Sequence, residues 1–309
     1  MIDLASIISL EKIQKVYSDN RFRKFVALED VTLEVMEGEA FGFIGPNGAG
    51  KSTTIKVLTG IITADSGKAT MFGLPVTDHL SRKGMSYVPE NPYLYDYLTP
   101  LEMLLMGCHM HGLKEDNLKA HCMKVLESLS IAHVANKRIR NFSKGMTQRT
   151  ALAHALACKP RLLILDEPLS GLDPIGRKDV VDILMKYRNE GGTIFFSSHV
   201  LNDVQRLGDR FGIIHQGKLR AVNTPTEVFG EKESFYIIRS VGTSALPGLE
   251  RESGDKWQIQ VKEHELVEWL EKLKVAQHKI MDVQRGPTLE QAFLHFIKDI
   301  GGDIKPHVS

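Results

Sequence analysis

The segment Gly45-Pro-Asn-Gly-Ala-Gly-Lys51-Ser52 constrains the fold of this chain more than any other stretch. It fits the phosphate-binding pattern G-x-x-x-x-G-K-[ST] in full. It directly follows the apolar run Ala40-Phe-Gly-Phe-Ile44 and opens a helical stretch, Lys51 to Leu58, with Gly60 placed to cap it. Glycines let backbone N–H groups converge on phosphate oxygens, and the helix N-terminus adds partial positive charge. Lys51 is then placed to reach the outer phosphates and the Ser52 hydroxyl to ligate Mg²⁺. A flexible Gly-rich turn is the competing reading. Yet a chance match in a chain of 309 residues is expected only about once in a hundred proteins, and the strand-before, helix-after context lowers that further. A β-loop-α unit, and hence an α/β core, follows.

The rest of the chain agrees. Leu162-Leu-Ile-Leu165, Thr193-Ile-Phe-Phe196 and Phe211-Gly-Ile-Ile214 are short and almost wholly apolar, as strands are when helices cover both faces of a parallel sheet. Between about Leu101 and Leu156 the pattern turns helical, which predicts an inserted helical subdomain over roughly residues 88–160. After Phe229-Gly230 the register changes. Ser234–Ile238, Trp257–Val261 and Lys279–Val283 read as strands, His264–Leu273 and Leu289–Ile297 as helices, and Val241–Gly254 as a loop. The expected architecture is an α/β domain over residues 1–229, with a mainly parallel core sheet, and a small α+β domain over residues 230–309.

Leu162-Leu-Ile-Leu-Asp166-Glu167 ends an apolar strand in two carboxylates. Asp166 at the strand tip can order Mg²⁺, and Glu167, one residue on, can polarise an attacking water as general base. A strand ending at a solvated acidic turn is the plainer alternative, and the phosphate-binding motif upstream weakens it.

Composition narrows the partners. Lys plus Arg (39) nearly cancels Asp plus Glu (38), so the basic excess that usually accompanies nucleic-acid binding is missing. The N-terminal stretch lacks the basic head of a signal peptide, and there is no apolar run of the ~20 residues that span a bilayer. Any membrane part is therefore expected from another chain. The three cysteines, Cys108, Cys122 and Cys158, form no Cys-x-x-Cys pair and suit a reducing cytoplasm. Cys108-His109-Met-His111 and His121-Cys122 could suggest a soft-metal site. Neither has the spacing of a zinc framework, so a Met-rich core helix with scattered histidines is the expectation.

Further motifs distinguish among P-loop proteins. Asn141-Phe-Ser143-Lys144-Gly145-Met146 resembles the Leu-Ser-Gly-Gly-Gln signature of ABC ATPases. Ser170-Gly-Leu-Asp173 resembles their D-loop, His199 their switch histidine, and Tyr17 the aromatic residue that stacks on adenine. With the P-loop and the Asp166-Glu167 pair, these run in family order from Tyr17 to His199. The chain thus resembles the nucleotide-binding subunit of an ABC transporter. That resemblance adds an antiparallel N-terminal β subdomain to the expected fold, with ATP and Mg²⁺ as ligands.

The resemblance also implies residue roles. Tyr17 stacks on adenine; Gly45, Pro46, Asn47, Gly48, Ala49, Gly50, Lys51, Ser52 and Thr53 hold phosphates and Mg²⁺; Asp166 orders Mg²⁺; Glu167 activates water; His199 senses the γ-phosphate. Two subunits, identical or paired, face each other head to tail. Ser143, Lys144 and Gly145 of one complete the ATP site of the other. An integral-membrane permease is the further partner, placing the chain on the cytoplasmic face of the membrane.

Two departures stand out. The signature carries Lys144 and Met146 in place of glycine and glutamine, and the Q-loop position carries Glu90, which still accepts hydrogen bonds and approaches Mg²⁺ but lacks an amide donor. Both variants, with Pro287-Thr-Leu-Glu290-Gln-Ala-Phe293-Leu near the C-terminus, look like the ABC-2-type exporter group. Tyr93, Tyr95 and Tyr97 either line a groove for a helix of the membrane partner or form a half-buried strand or loop. Asn136-Lys-Arg-Ile139 lacks the Asp of a guanine-reading motif. The alternative function is an ABC ATPase that drives a mechanical or regulatory task without transport.

Overall fold

The computed structural model describes residues 6–18, 24–114, 116–224 and 235–286. The chain divides into two compact units, residues 1–224 and 225–309. The expected boundary after Phe229 lies outside the described residues.

The first unit begins with an antiparallel hairpin, β1 (Ser6–Ser18) and β2 (Lys24–Met36), in which Tyr17 stands opposite Phe25. Next come β3 (Ala40–Ile44), α1 (Lys51–Leu58), β4 (Ser66–Met71), β5 (Leu74–Pro75) and β6 (Met85–Val88). Strands β2-β1-β4-β5 form one antiparallel sheet. The helical lobe comprises α2 (Pro100–Met110), α3 (Leu118–Ser128) and α4 (Lys144–Ala157). A capping box starts α2: Glu102 N–H donates to the Thr99 hydroxyl while Thr99 N–H donates to the Glu102 carboxylate.

Beyond the lobe lie β7 (Leu162–Leu165), α5 (Pro174–Asn189), β8 (Thr193–Ser198), α6 (Leu201–Leu207), β9 (Arg210–His215) and β10 (Lys218–Asn223). The central sheet runs β10-β9-β3-β8-β7-β6, and only β10 is antiparallel to its neighbour. Every residue of β3, β7 and β8 is buried, as their largely apolar runs require of strands covered on both faces. Phe41, Phe43 and Phe195 interlock here, with Phe41 stacked parallel on Phe195 at 5.9 Å. This rigid sheet delivers the loops after β3, β7 and β8 to one edge, the usual place for a site in an open parallel sheet.

In the second unit, β11 (Phe235–Val241), β12 (Glu250–Ser253), β13 (Lys256–Lys262) and β14 (Lys279–Gly286) form an antiparallel sheet in the order β12-β13-β11-β14, with α7 (Leu266–Val275) between β13 and β14 in sequence. Ile238, Ile259, Val261 and Leu273 are its core, with Trp269 and Leu270 packed against them. Strand β12 corrects the loop expected over Val241–Gly254. All four of its residues are exposed and polar or charged, so it carries no apolar alternation. As an edge strand it is defined by pairing with β13 alone. The helix expected over Leu289–Ile297, and Pro287–Leu294 with it, lies outside the described residues.

Candidate active site

The phosphate loop is shaped by close packing. A side chain on Gly45 would place Cβ 2.3 Å from the Ile214 carbonyl oxygen, and one on Gly50 would place it 2.8 Å from that of Ala27. Gly50 also sits at φ +113°, a left-handed conformation that disfavours any Cβ. Gly60 follows α1 at φ +70° and its N–H bonds the Val57 carbonyl, the expected helix end. Lys51 is only 6% exposed, and its ammonium donates to the carbonyls of Gly45 (2.7 Å) and Pro46 (3.3 Å).

The carboxylates arrive from β7. Asp166 is buried; one of its oxygens accepts from the Ser197 hydroxyl at 2.7 Å and from the Ser52 hydroxyl at 3.3 Å. Glu167 sits beside it in left-handed backbone, φ 49°, which costs a non-glycine residue roughly 1–2 kcal/mol. The surroundings impose that turn: Glu167 N–H donates to Ser197 Oγ at 2.9 Å, and its carbonyl accepts from Ser170 N–H at 3.0 Å. Strain of this kind concentrates at functional sites. One carboxylate oxygen of Glu167 faces Lys51 Nζ at 3.2 Å without a hydrogen bond, and the other contacts His199 Nδ1 at 2.8 Å.

A cavity of about 370 Å³ unites these groups. Its walls include Tyr17, all residues from Pro46 to Thr53, Glu90, Glu167 and His199. The P-loop, the base candidate, the switch histidine and the aromatic candidate therefore share one space, and Asp166 reaches it through Ser52. Glu90 is exposed on that wall.

The signature goes elsewhere. Among the described residues, none of Ser143, Lys144 and Gly145 lines the cavity. Ser143 caps α4, its hydroxyl accepting from Met146 N–H at 3.3 Å. Exposed Lys144 lies across the D-loop, its Nζ 2.8 Å from where a Cβ on Gly171 (φ +71°) would stand. Asp173 caps α5 by accepting from Gly176 N–H. Tyr93, Tyr95 and Tyr97 stand exposed on an irregular segment after β6, so their alternation marks no strand. Among the described residues, no group of three or more His, Cys, Asp or Glu side chains is arranged to hold a metal, and no helix is long and apolar enough to cross a membrane.

Three residues, Phe25, Ala27 and Ser197, escaped the sequence reading. Phe25 lines the cavity opposite Tyr17 and is 61% exposed; an aromatic so near Tyr17 in a hairpin was its only signal. Ala27 also lines the cavity, as does Ser170 of the D-loop segment already singled out in the sequence. Ser197, two residues before His199, braces both Asp166 and Glu167, a role visible only once β7 and β8 are paired.

A glycine-lined phosphate loop with a buried lysine, two carboxylates at the end of β7 and a histidine on the second carboxylate define a nucleoside triphosphatase of the P-loop class. Comparison with known proteins makes the assignment specific. Residues 28–170 match the family described as ABC transporter. The chain is 35% identical to an uncharacterised ABC transporter ATP-binding protein of Synechocystis, over 96% of this chain and 86% of that one. It is 38% identical to the bacitracin transport ATP-binding protein of Bacillus licheniformis, over 70% and 69%. The solved ATP-binding subunit of an ABC transporter superposes with a TM-score of 0.66 at 31% identity, covering 72% of this chain and 92% of that one. The chain belongs to the ABC transporter family, as an ATP-binding, ATP-hydrolysing subunit.

Proposed function

We propose that this subunit pairs with a second ATPase subunit around two ATP molecules and powers a membrane exporter. One observation carries the pairing: the cavity gathers Tyr17, the phosphate loop from Pro46 to Thr53, Glu90, Glu167 and His199 but not the signature, which the same subunit presents elsewhere, with Ser143 and Lys144 exposed. A second copy, facing the first head to tail, supplies Ser143, Lys144 and Gly145 to the phosphates bound by the first. ATP then favours the pair as a linked ligand, and hydrolysis removes the bridging charge.

Within the site, Tyr17 and Phe25 offer ring faces to the adenine. Lys51 and the loop amides hold the β- and γ-phosphates, Glu167 accepts the proton of the attacking water, and His199 orients that carboxylate and contacts the γ-phosphate. The donor set fits Mg²⁺. Ser52 Oγ and Asp166 Oδ1 are hard oxygens 3.3 Å apart, with Glu90 on the same cavity wall. Mg²⁺ is normally held by one or two carboxylates plus phosphate and water oxygens. When bound, it neutralises charge on the phosphates.

Relatives support the exporter reading through their names: a bacitracin transport protein, a lantibiotic transport protein of Streptococcus pyogenes and a linearmycin resistance protein of Bacillus subtilis. Contact with a permease at the cytoplasmic membrane face fits the exposed Tyr93, Tyr95 and Tyr97. That segment is tied to the approach to the signature: Arg140 N–H donates to the Asp96 carbonyl, Ile139 N–H to Leu98, and the Arg138 guanidinium to Tyr97. Purification from native membranes tests the whole reading. It expects a polytopic membrane chain to co-elute and ATP with Mg²⁺ to double the mass of the isolated subunit in light scattering. A subunit that hydrolyses ATP while monomeric, with no membrane chain attached, would refute it.

A further inference from the structure

Away from the nucleotide site, all three cysteines of the chain meet inside the helical lobe. Cys108 on α2 and Cys122 on α3 are fully buried, with their Sγ atoms 3.9 Å apart. Cys108 also donates to the Ala157 carbonyl (3.4 Å) at the last turn of α4. Cys158, which caps α4, donates to the His154 carbonyl (3.3 Å) and interacts with the Cys108 thiol. The sequence separates these residues and shows no Cys-x-x-Cys pair; only the packing of the three helices brings them together.

Chemistry distinguishes the three thiols. A hydrogen bond from Cys158 chiefly, aided by Cys122 and against the effect of burial, lowers the Cys108 thiol below its ordinary value. The same contact pushes Cys158 up. Cys108 is thus the more acidic thiol of the Cys108–Cys158 contact, and loss of its proton gives the reactive form. A disulfide needs S–S of about 2.05 Å, so Cys108 and Cys122 must close by about 2 Å, between side chains already facing each other across the α2–α3 contact.

We propose that Cys108 and Cys122 form a reversible redox-modification site whose oxidation by a hydroperoxide ties α2 to α3. Both residues are fully buried, which selects a small uncharged oxidant. The Cys108 sulfur attacks one peroxide oxygen and the O–O bond breaks, leaving Cys108 sulfenic acid and hydroxide, which leaves as water. Cys122 sulfur then attacks the sulfenic sulfur; the S–S bond forms, the S–O bond breaks, and hydroxide leaves with the Cys122 proton as a second water. Two thiols and one hydrogen peroxide give one disulfide and two waters, the sulfurs losing the two electrons that the peroxide gains. Thiol–disulfide exchange with a dithiol reverses the step.

The link has a consequence at a distance. Oxidation removes the Cys108 S–H that bonds the end of α4, and α4 begins at Ser143 and Gly145. The disulfide therefore disturbs the helix that presents the signature, and ATPase activity falls. That last step rests on the paired-subunit reading above; formation of the bond does not.

The test treats the full chain with hydrogen peroxide, blocks free thiols and maps peptides without reduction. A Cys108–Cys122 linked peptide is expected, lost on dithiothreitol treatment, together with a several-fold fall in ATPase activity that dithiothreitol restores. In Cys122→Ala the link cannot form, so dimedone should trap Cys108 sulfenic acid; Cys158→Ser should still form the link. Thermal melts confirm that both variants are folded. A Cys108–Cys158 link, or no link and no dimedone adduct at Cys108, overturns the site. A link that leaves ATPase activity unchanged overturns the coupling to catalysis, while a chain inactive before treatment counts against the ATPase reading and leaves the mapping decisive.

Discussion

The Lys51 ammonium lies 3.2 Å from the Glu167 carboxylate, with both side chains under a tenth exposed. The cation that serves phosphate and the carboxylate that serves water are therefore direct neighbours, and His199 holds the second oxygen of the same carboxylate. Each residue of this chain has a distinct consequence when altered.

Removing the cation should remove nucleotide and chemistry together. Lys51→Ala leaves the β- and γ-phosphates without their ammonium and the buried Glu167 without its counter-charge. ATP affinity should collapse, and turnover should fall on the order of 10²-fold or more. Titration with a fluorescent ATP analogue and a phosphate-release assay check both; normal ATPase activity would remove Lys51 from its role.

Glu167→Gln should separate binding from chemistry. The amide keeps the shape but takes no proton, so turnover should fall ~10²-fold or more. It also releases Lys51 from a competing negative charge, so ATP binding should be retained or tightened. The variant should accumulate as an ATP-bound dimer in light scattering. A monomer that turns over at the normal rate would place the base elsewhere.

The helical lobe has its own acid sensitivity. His154 packs where Gly107 leaves space for it: a Cβ on residue 107 would lie 2.3 Å from His154 Nε2. Burial, with repulsion from His111, holds the His154 pKa below its ordinary 6.5. A depressed histidine takes its proton first in the unfolded chain, so this contribution to stability is present above pH ~6.5 and lost as pH falls through the folded value. His154→Gln should flatten the decline in melting temperature as the pH falls below 6.5. Gly107→Ala should destabilise at every pH. An unchanged acid slope in His154→Gln would show that another group sets it.

Most of the fold was legible because a parallel sheet leaves a plain trace. Leu162–Leu165 and Ile194–Phe196 are apolar throughout since helices cover both faces, and Gly45, Gly50 and Lys51 declare a loop whose geometry few other residues can adopt. What the sequence hid depends on pairing across distance. Edge strand β12 has no apolar face to betray it, and Ser197 matters only because β8 lies beside β7. Tyr93, Tyr95 and Tyr97 mimic strand alternation, yet their segment is irregular and all three rings are exposed. The convergence of Cys108, Cys122 and Cys158 required the packing of α2, α3 and α4.

Gly145→Asp tests the shared site most directly, because the subunit by itself gives no reason for glycine there. A Cβ on residue 145 would meet only Leu172 Cδ2, at an ordinary 3.7 Å. Glycine within a helix costs about 1 kcal/mol relative to alanine. The first turn of α4 holds no acidic residue, so an aspartate there gains from the helix dipole. The variant should therefore melt at or above the temperature of the parent and bind ATP as an isolated subunit. Across a paired interface the same carboxylate stands against the phosphates and blocks the approach of the residue 145 N–H. Dimerisation and ATPase activity should fall, the latter on the order of 10²-fold. Mixing with Lys51→Ala sharpens the outcome. In the mixed pair, the intact P-loop of the Gly145→Asp subunit faces the intact signature of the Lys51→Ala subunit, while the other site carries both lesions. Activity absent from either variant alone and recovered on mixing shows composite sites. Full ATPase activity in Gly145→Asp alone would mean that each subunit hydrolyses ATP without its partner's signature.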